Sequence, residues 1–180
     1  MNMALLTTPR LHLRPLDAGD RALHRSLYTD PVVMREIASP LTASASDRAF
    51  DAVLARVGGD APRYHYWVVE IRAAGGEAIG IIALHRHDDG AEIGVMLDAR
   101  HHRSGIAREA FEVLVPYALD NLDLSFIDAE RADDGHARAI DGLLLPLGFR
   151  AQAAPTSGRR RWRRDRTAGR AAVGSSPRED

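Results

Sequence analysis

Leu11 and Leu13 alternate with His12 and Arg14, and this period of two predicts a half-buried strand that Pro15 ends. Downstream the period lengthens. Leu23, Leu27 and Ile37 follow Asp17, a capping residue, at helical spacing, but proline keeps the residue before it out of helical angles, so Asp30-Pro31 breaks the run. Two short helices are expected. Ala49, Phe50, Val53, Leu54 and Val57 share one face of a helix over residues 44–57, capped by Ser44 or Ser46 and stopped by Gly58-Gly59. From Tyr64 the apolar runs shorten to strand length over 64–72, 78–85 and 91–97. Gly75-Gly76 and Asp89-Gly90 separate them, which predicts an antiparallel meander. Ile106, Ala110, Val113, Leu114 and Tyr117 mark a helix over 104–119. Pro116 inside it, at about 3 kcal/mol of helix propensity, predicts a kink or an early end. A strand over 124–130, a helix over 135–147 and a strand opened by Phe149 complete an α/β order with a mixed sheet.

Composition narrows the class. A chain of 180 residues with 45% apolar and 27% charged residues suits one soluble domain with a full core. Its longest apolar runs, 81–84 and 143–147, fall far short of the roughly 20 residues that cross a bilayer. The first ten residues lack the basic start and apolar core of a secretion signal, and there is no Cys for a disulfide framework, so a cytoplasmic location is expected. All 24 basic residues are Arg, which excludes Lys as base, nucleophile or Schiff-base partner. Net charge is −1 but uneven, with 16 Arg against 22 acidic residues over 1–150 and 8 against 3 over 151–180. Residues 1–155 are expected to form a single domain. Residues 156–180 are expected to supply an Arg-rich C-terminal strand and then a disordered tail, where Val173 is the one large apolar residue beyond Thr167.

Residues 92–110 join a strand to a helix through a short polar loop. The first backbone N–H groups of a helix have no partner within it and together carry about half a positive charge, so such a loop can cradle a pyrophosphate. Gly105 allows close approach, and Arg100, Arg103 and Arg108 can add charge. The Gly-Lys-Ser/Thr ending of a Walker loop is absent.

With Thr8-Pro-Arg-Leu-His-Leu-Arg-Pro-Leu16, Tyr28-Thr-Asp-Pro-Val-Val-Met34, Ala91-Glu-Ile-Gly-Val-Met-Leu97, His102-Arg-Ser-Gly-Ile-Ala107 and Leu147-Gly-Phe149 in that order, the sequence resembles the GNAT superfamily of N-acetyltransferases. It is most similar to the branch that acetylates ribosomal-protein N-termini. The resemblance runs from Thr8 to Arg150. It implies a splayed, mixed and mostly antiparallel sheet flanked by helices, with acetyl-CoA as co-substrate and a primary amine, protein N-terminus or small molecule, as acceptor. It assigns pantetheine contacts to backbone groups of Val95, Met96 and Leu97. The pyrophosphate falls to Arg103, Ser104, Gly105, Ile106, Ala107 and Arg108, and the base to Glu92. The chain departs from the family where Gly is usual and Arg103 stands, and where the last helix carries Asn and Ser but has Ala137 and Ile140. His136 or Asp134 are candidates to replace the Asn.

No Tyr follows Tyr117, so the phenolic acid of some family members is missing. The thiol leaving group, with a pKa near 8.5, can depart as thiolate without it. Deprotonating a side-chain amine at pH 7 costs about 4.6 kcal/mol and an α-amine only about 1 kcal/mol, so a weak base such as Glu92 suits an α-amine, directly or through water. The alternative function on the same fold is a non-catalytic acyl-CoA-binding or regulatory module. His85, His87, His101 and His102 lack a third ligand at supporting spacing, so no metal site is expected. Six Arg around Trp162 over 159–166 could bind RNA, but a strand running into the tail is favoured. Trp67 and Tyr66 are expected in the core. The oligomeric state is expected to be monomer or homodimer.

Overall fold

A computed structural model describes residues 3–35, 37–57, 63–134, 137–153 and 156–167. Gly58-Gly59, Gly135, His136 and the chain beyond Thr167 lie outside the described residues. The strands are β1 (Leu6–Thr7), β2 (Leu11–Pro15), β3 (Tyr64–Ile71), β4 (Glu77–His87), β5 (Gly90–Leu97), β6 (Phe126–Ala132), β7 (Arg150–Gln152) and β8 (Arg159–Asp165). The helices are α1 (Arg21–Thr29), α2 (Pro31–Met34), α3 (Ala43–Val57), α4 (Ile106–Asn121) and α5 (Ala137–Leu144). One eight-stranded sheet runs in the order β1-β2-β3-β4-β5-β6-β8-β7, antiparallel at every step except the parallel β5–β6 pair.

The β3–β4–β5 meander forms as the alternation demands, with Trp67 opposite Ile82 and Ile82 opposite Val95. Its second turn sits one residue earlier than expected. Asp88 and Asp89 make it, Asp88 in the left-handed region (φ 46°), and Gly90 is already in β5, where a Cβ would overlap the Phe126 ring. One face of the sheet packs on α4 and α5 around Trp67, Ile82, Ile93, Leu114 and Trp162. On the other face α1–α3 cover β3 and β4 through Leu27, Phe50, Val68 and Ile81.

Asp30 breaks the first helical run as expected, its side chain accepting from Val32 N–H (2.6 Å) to cap α2. Neither expected serine caps α3: Thr42 Oγ1 accepts from Ala45 N–H, while Ser46 is fully buried with its hydroxyl 3.1 Å from His24 Nδ1. Pro116 does not end α4. Phe111, Leu114, Val115, Ala118 and Leu119 are buried on both sides of it, and that packing outweighs the proline penalty. β8 inserts between β6 and β7 and buries Trp162, whose Nε1 donates to Asp141 Oδ1 at 2.8 Å, so this strand belongs to the core sheet. Among the described residues no helix is long and apolar enough to cross a membrane.

Candidate functional site

β5 and β6 are paired only from Gly90↔Phe126 to Glu92↔Asp128, after which β6 turns away with β8. The splay leaves one edge of β5 open from Ile93 onward. Asp98 N–H donates to Ile79 O (2.8 Å), which fixes the alternation of the antiparallel ladder. By that alternation the backbone groups of Met96 face Ile81 on β4, while those of Val95 and Leu97 face the opening. Of the three expected contributors, two are therefore turned to it. The Leu97 carbonyl there already accepts from His102 Nε2 at 2.9 Å, which holds His102 against the strand.

Behind the opening, α4 starts without a side-chain cap. Glu109 N–H is the first to donate along the helix, to Gly105 O, so the N–H groups of Ile106, Ala107 and Arg108 have no intrahelical acceptor. Gly105 sits at φ +79° and Arg103 at φ 58°, both left-handed. The family's usual Gly thus has a physical reason at the Arg103 position. Arg103, Ser104, Gly105, Ile106, Ala107 and Arg108 line one cleft of about 330 Å³ with Leu97, and α5 closes its far side through Ala139, Gly142 and Leu143. Ala137 is buried and Ile140 packs against the core, so α5 lends no polar group at either position where the family has one. His136 is outside the described residues, and Asp134 is within ion-pair distance of Arg131 (3.1 Å).

Charge at the loop is arranged differently from the sequence reading. Arg100 turns away to Asp98 (2.9 Å) and Glu77 (3.2 Å), and its guanidinium holds the Asp98 carboxyl down at about 2. Arg108 lies 3.3 Å from Glu112, and Arg103 has no ion-pair partner among the described residues. A contributor the sequence did not reveal is Arg10. Its Nε pairs with Glu109 (2.5 Å), its Nη1 donates to Ser104 O (3.2 Å), and Thr8 Oγ1 donates to the same carboxylate. Those hydrogen bonds, working against burial of the group, hold the Glu109 carboxyl below its ordinary range. They also neutralise an acid that would otherwise oppose an anion at the helix start.

Glu92 emerges from the other face of β5, exposed and without a hydrogen bond or ion pair among the described residues. His85 stands opposite it on β4 and lies flat on Tyr64, ring centroids 4.4 Å apart. Gly94, two residues on, is exposed with nothing within 4 Å of where a Cβ would be, and opposite it are Ala83 and then Tyr66. These residues share one face of the sheet, aromatic on its β3 side. Tyr66 on this face is half-buried and packs against the α1–α3 core, while Trp67 on the other face is fully buried. On the β6 side of Glu92, Asp128 and Glu130 are held by Arg163 and Arg161, each at 2.7 Å. Among the described residues no three His, Cys, Asp or Glu side chains converge as metal ligands.

A family model described as an acetyltransferase (GNAT) domain matches residues 10–139. No match was found among curated proteins. Among solved structures, an acetyltransferase from Agrobacterium tumefaciens str. C58 is 22% identical with a TM-score of 0.75, covering 92% of this chain and 96% of that one. The spermidine N-acetyltransferase of Vibrio cholerae, in complex with CoA and spermine, is 20% identical with a TM-score of 0.70, over 87% and 94% of the two chains. RimL, a ribosomal L7/L12 α-N-protein acetyltransferase in complex with CoA, is 14% identical with a TM-score of 0.72, over 89% and 97%.

Proposed function

Because the chain belongs to the GNAT acetyltransferase family, with acetyl-CoA as co-substrate, we propose that it transfers the acetyl group to an α-amine by direct attack on the thioester. The observation that carries this reading is Glu92, an exposed and unpaired carboxylate on the last paired rung before the sheet opens. Its proximity to the opening suits a base for an amine attacking a thioester held there. The ammonium loses a proton to Glu92, directly or through one water, and the free amine forms the C–N bond. The carbonyl electron pair moves to oxygen and returns as the C–S bond breaks, the electrons of that bond leave on the CoA thiolate, and the second proton that the nitrogen sheds on becoming an amide passes to that thiolate or to water. The N–H groups of Val95 and Leu97, facing the opening, are the donors for the oxyanion. The uncapped N–H groups of Ile106, Ala107 and Arg108, with Arg103, hold the pyrophosphate.

Within the family this reading puts the chain with the N-terminal acetyltransferases. An α-amine is already partly neutral near pH 8, and a single carboxylate with no phenolic acid behind it suffices for it. Measured by CoA-thiol release on an α-amine peptide, Glu92→Gln should lower kcat by about 10²-fold to 10⁴-fold and move the pH optimum up, with acetyl-CoA affinity intact. Full activity of Glu92→Gln at pH 7 would leave Glu92 a structural role. The second reading, an acyl-CoA-binding module without turnover, draws on α5, which lines the cleft with Ala139, Gly142 and Leu143 and has Ala137 and Ile140 where the family has Asn and Ser. Acetyl-CoA binding by calorimetry with no acetylation of any amine would favour it.

A further inference from the structure

We propose that the acceptor is a peptide N-terminus with acidic residues near its start, its α-amine at Glu92 and an acidic side chain at Arg150. This rests on the acyl-transfer reading above and names its substrate. The observation is a row of charges running across four strands. Glu92 on β5 stands opposite Asp128 on β6, Asp128 opposite Arg163 on β8, and Arg163 opposite Arg150 on β7. All four side chains therefore emerge from one face.

The inner two neutralise each other. Arg163 donates from Nε and Nη2 to the two Asp128 oxygens at 2.7 and 2.8 Å, and its guanidinium lies 3.6 Å over the Phe126 ring. The outer two, Glu92 and Arg150, are exposed and have no hydrogen bond or ion pair among the described residues. Like charges directly opposite on paired strands repel, and with Arg163 engaged by Asp128 the Arg150 guanidinium is left for an outside anion.

Three interstrand steps separate the two unpaired ends by about 14 Å at the backbone. A ligand that satisfies both carries a positive and a negative charge at a comparable distance, shortened by the reach of the two side chains. In a free amino acid the two charges are only a few ångströms apart. An extended peptide advances about 3.4 Å per residue, so an acidic side chain three or four residues from the α-amine fits the span.

The flanks point the same way. On this face of β7 and β8, four arginines (150, 159, 161 and 163) meet three carboxylates, Asp128, Glu130 and Asp165. On the other side of Glu92, the Arg56 guanidinium lies 5.2 Å over the Tyr64 ring. An acceptor with several positive charges would be repelled from both directions.

The test is acetylation by the full chain of three peptides with the same first residue and with Asp and Glu, Asn and Gln, or Lys at positions three and four, with spermidine as a fourth acceptor. The acidic peptide should exceed the neutral one in kcat/KM by about fivefold, the scale of one exposed ion pair, and the advantage should shrink with added salt. Arg150→Gln should bring that ratio to about one and Arg150→Glu should invert it, with melting temperatures confirming that both variants fold. A ratio near one in the wild-type chain, or one retained in Arg150→Glu, would overturn the proposal. Faster turnover of spermidine than of every peptide would overturn it while leaving acyl transfer standing. No acetylation of any acceptor by a chain that binds acetyl-CoA would overturn both readings.

Discussion

Replacing Gly105 by Val separates the backbone strain of the α4 start from its use as an anion cradle. Gly105 caps α4 at φ +79°, where a side chain costs about 1–2 kcal/mol. The space itself is open, because an added Cβ would meet only Arg10 Nη2, at 3.5 Å, an ordinary contact. Folding should therefore survive with a loss of that size and no rebuilding of the loop. Binding should suffer separately. A pyrophosphate that the valine side chain keeps from even one charge-assisted hydrogen bond with the N–H groups of Ile106, Ala107 and Arg108 loses about 1.5–3 kcal/mol, more than tenfold in Kd. Calorimetry with acetyl-CoA, run beside thermal melting of the same sample, reads the two effects independently. Gly105→Ala should fall between wild type and Gly105→Val in both. A lowered melting temperature with Kd unchanged within twofold would mean that strain is the whole effect and would take this loop out of the binding site.

Arg103→Gly should leave the melting temperature nearly unchanged, since relief of about 1 kcal/mol of left-handed strain is offset by glycine's chain entropy, while acetyl-CoA affinity falls and its salt dependence flattens. An unaltered salt dependence would exclude that guanidinium from the phosphate contact. Gly94→Phe should fold and bind acetyl-CoA normally yet raise KM for the amine, because the space above Gly94 is empty and lies on the Glu92 face; an unchanged KM would move the acceptor elsewhere. His24 and His65 are buried, and desolvation lowers both to about 4. The unfolded chain, with ordinary values near 6.5, takes up those protons first, so their stability is full above pH 6.5 and is lost as pH falls from 6.5 to 4, up to about 3 kcal/mol each. His65→Leu should flatten the urea midpoint across that window, and a curve as steep as wild type would refute the assignment.

How far the sequence reached depended on the range of the interactions involved. The β3–β4–β5 meander, the Asp30-Pro31 break and the loop before α4 were legible because alternation, capping and turn chemistry act over a few residues. The Asp-Gly turn slipped by one residue because Gly90 is needed for its lack of a side chain beneath Phe126, a partner 36 positions away in the chain. β1, two residues long, carries too little pattern to be seen. The Arg10–Glu109 pair and the insertion of β8 between β6 and β7 are products of long-range pairing, to which local periodicity is blind.

The Arg-rich C-terminal strand shows what that blindness hides. Counted along the chain, an acidic body and a basic end look like two electrostatic regions, and the six Arg around Trp162 look free to meet a polyanion. In the fold they are spoken for. A strand sends alternate residues to opposite faces. Arg159 and Arg161 reach Glu130, and Arg163 reaches Asp128 on one face, while Arg160 reaches Asp141 of α5 on the other. Arg164 donates to Leu147 O, and Arg166 donates to Leu119 O and pairs with Asp123. The charge asymmetry of the sequence is thus largely the two halves of one set of ion pairs, closed when β8 enters the sheet. Arg150, which faces the same side from β7, stays outside that set. An acidic chain segment reaching this face of the sheet would find this guanidinium available and the others already engaged. Selectivity there should therefore answer to Arg150 more than to the larger number of arginines beside it.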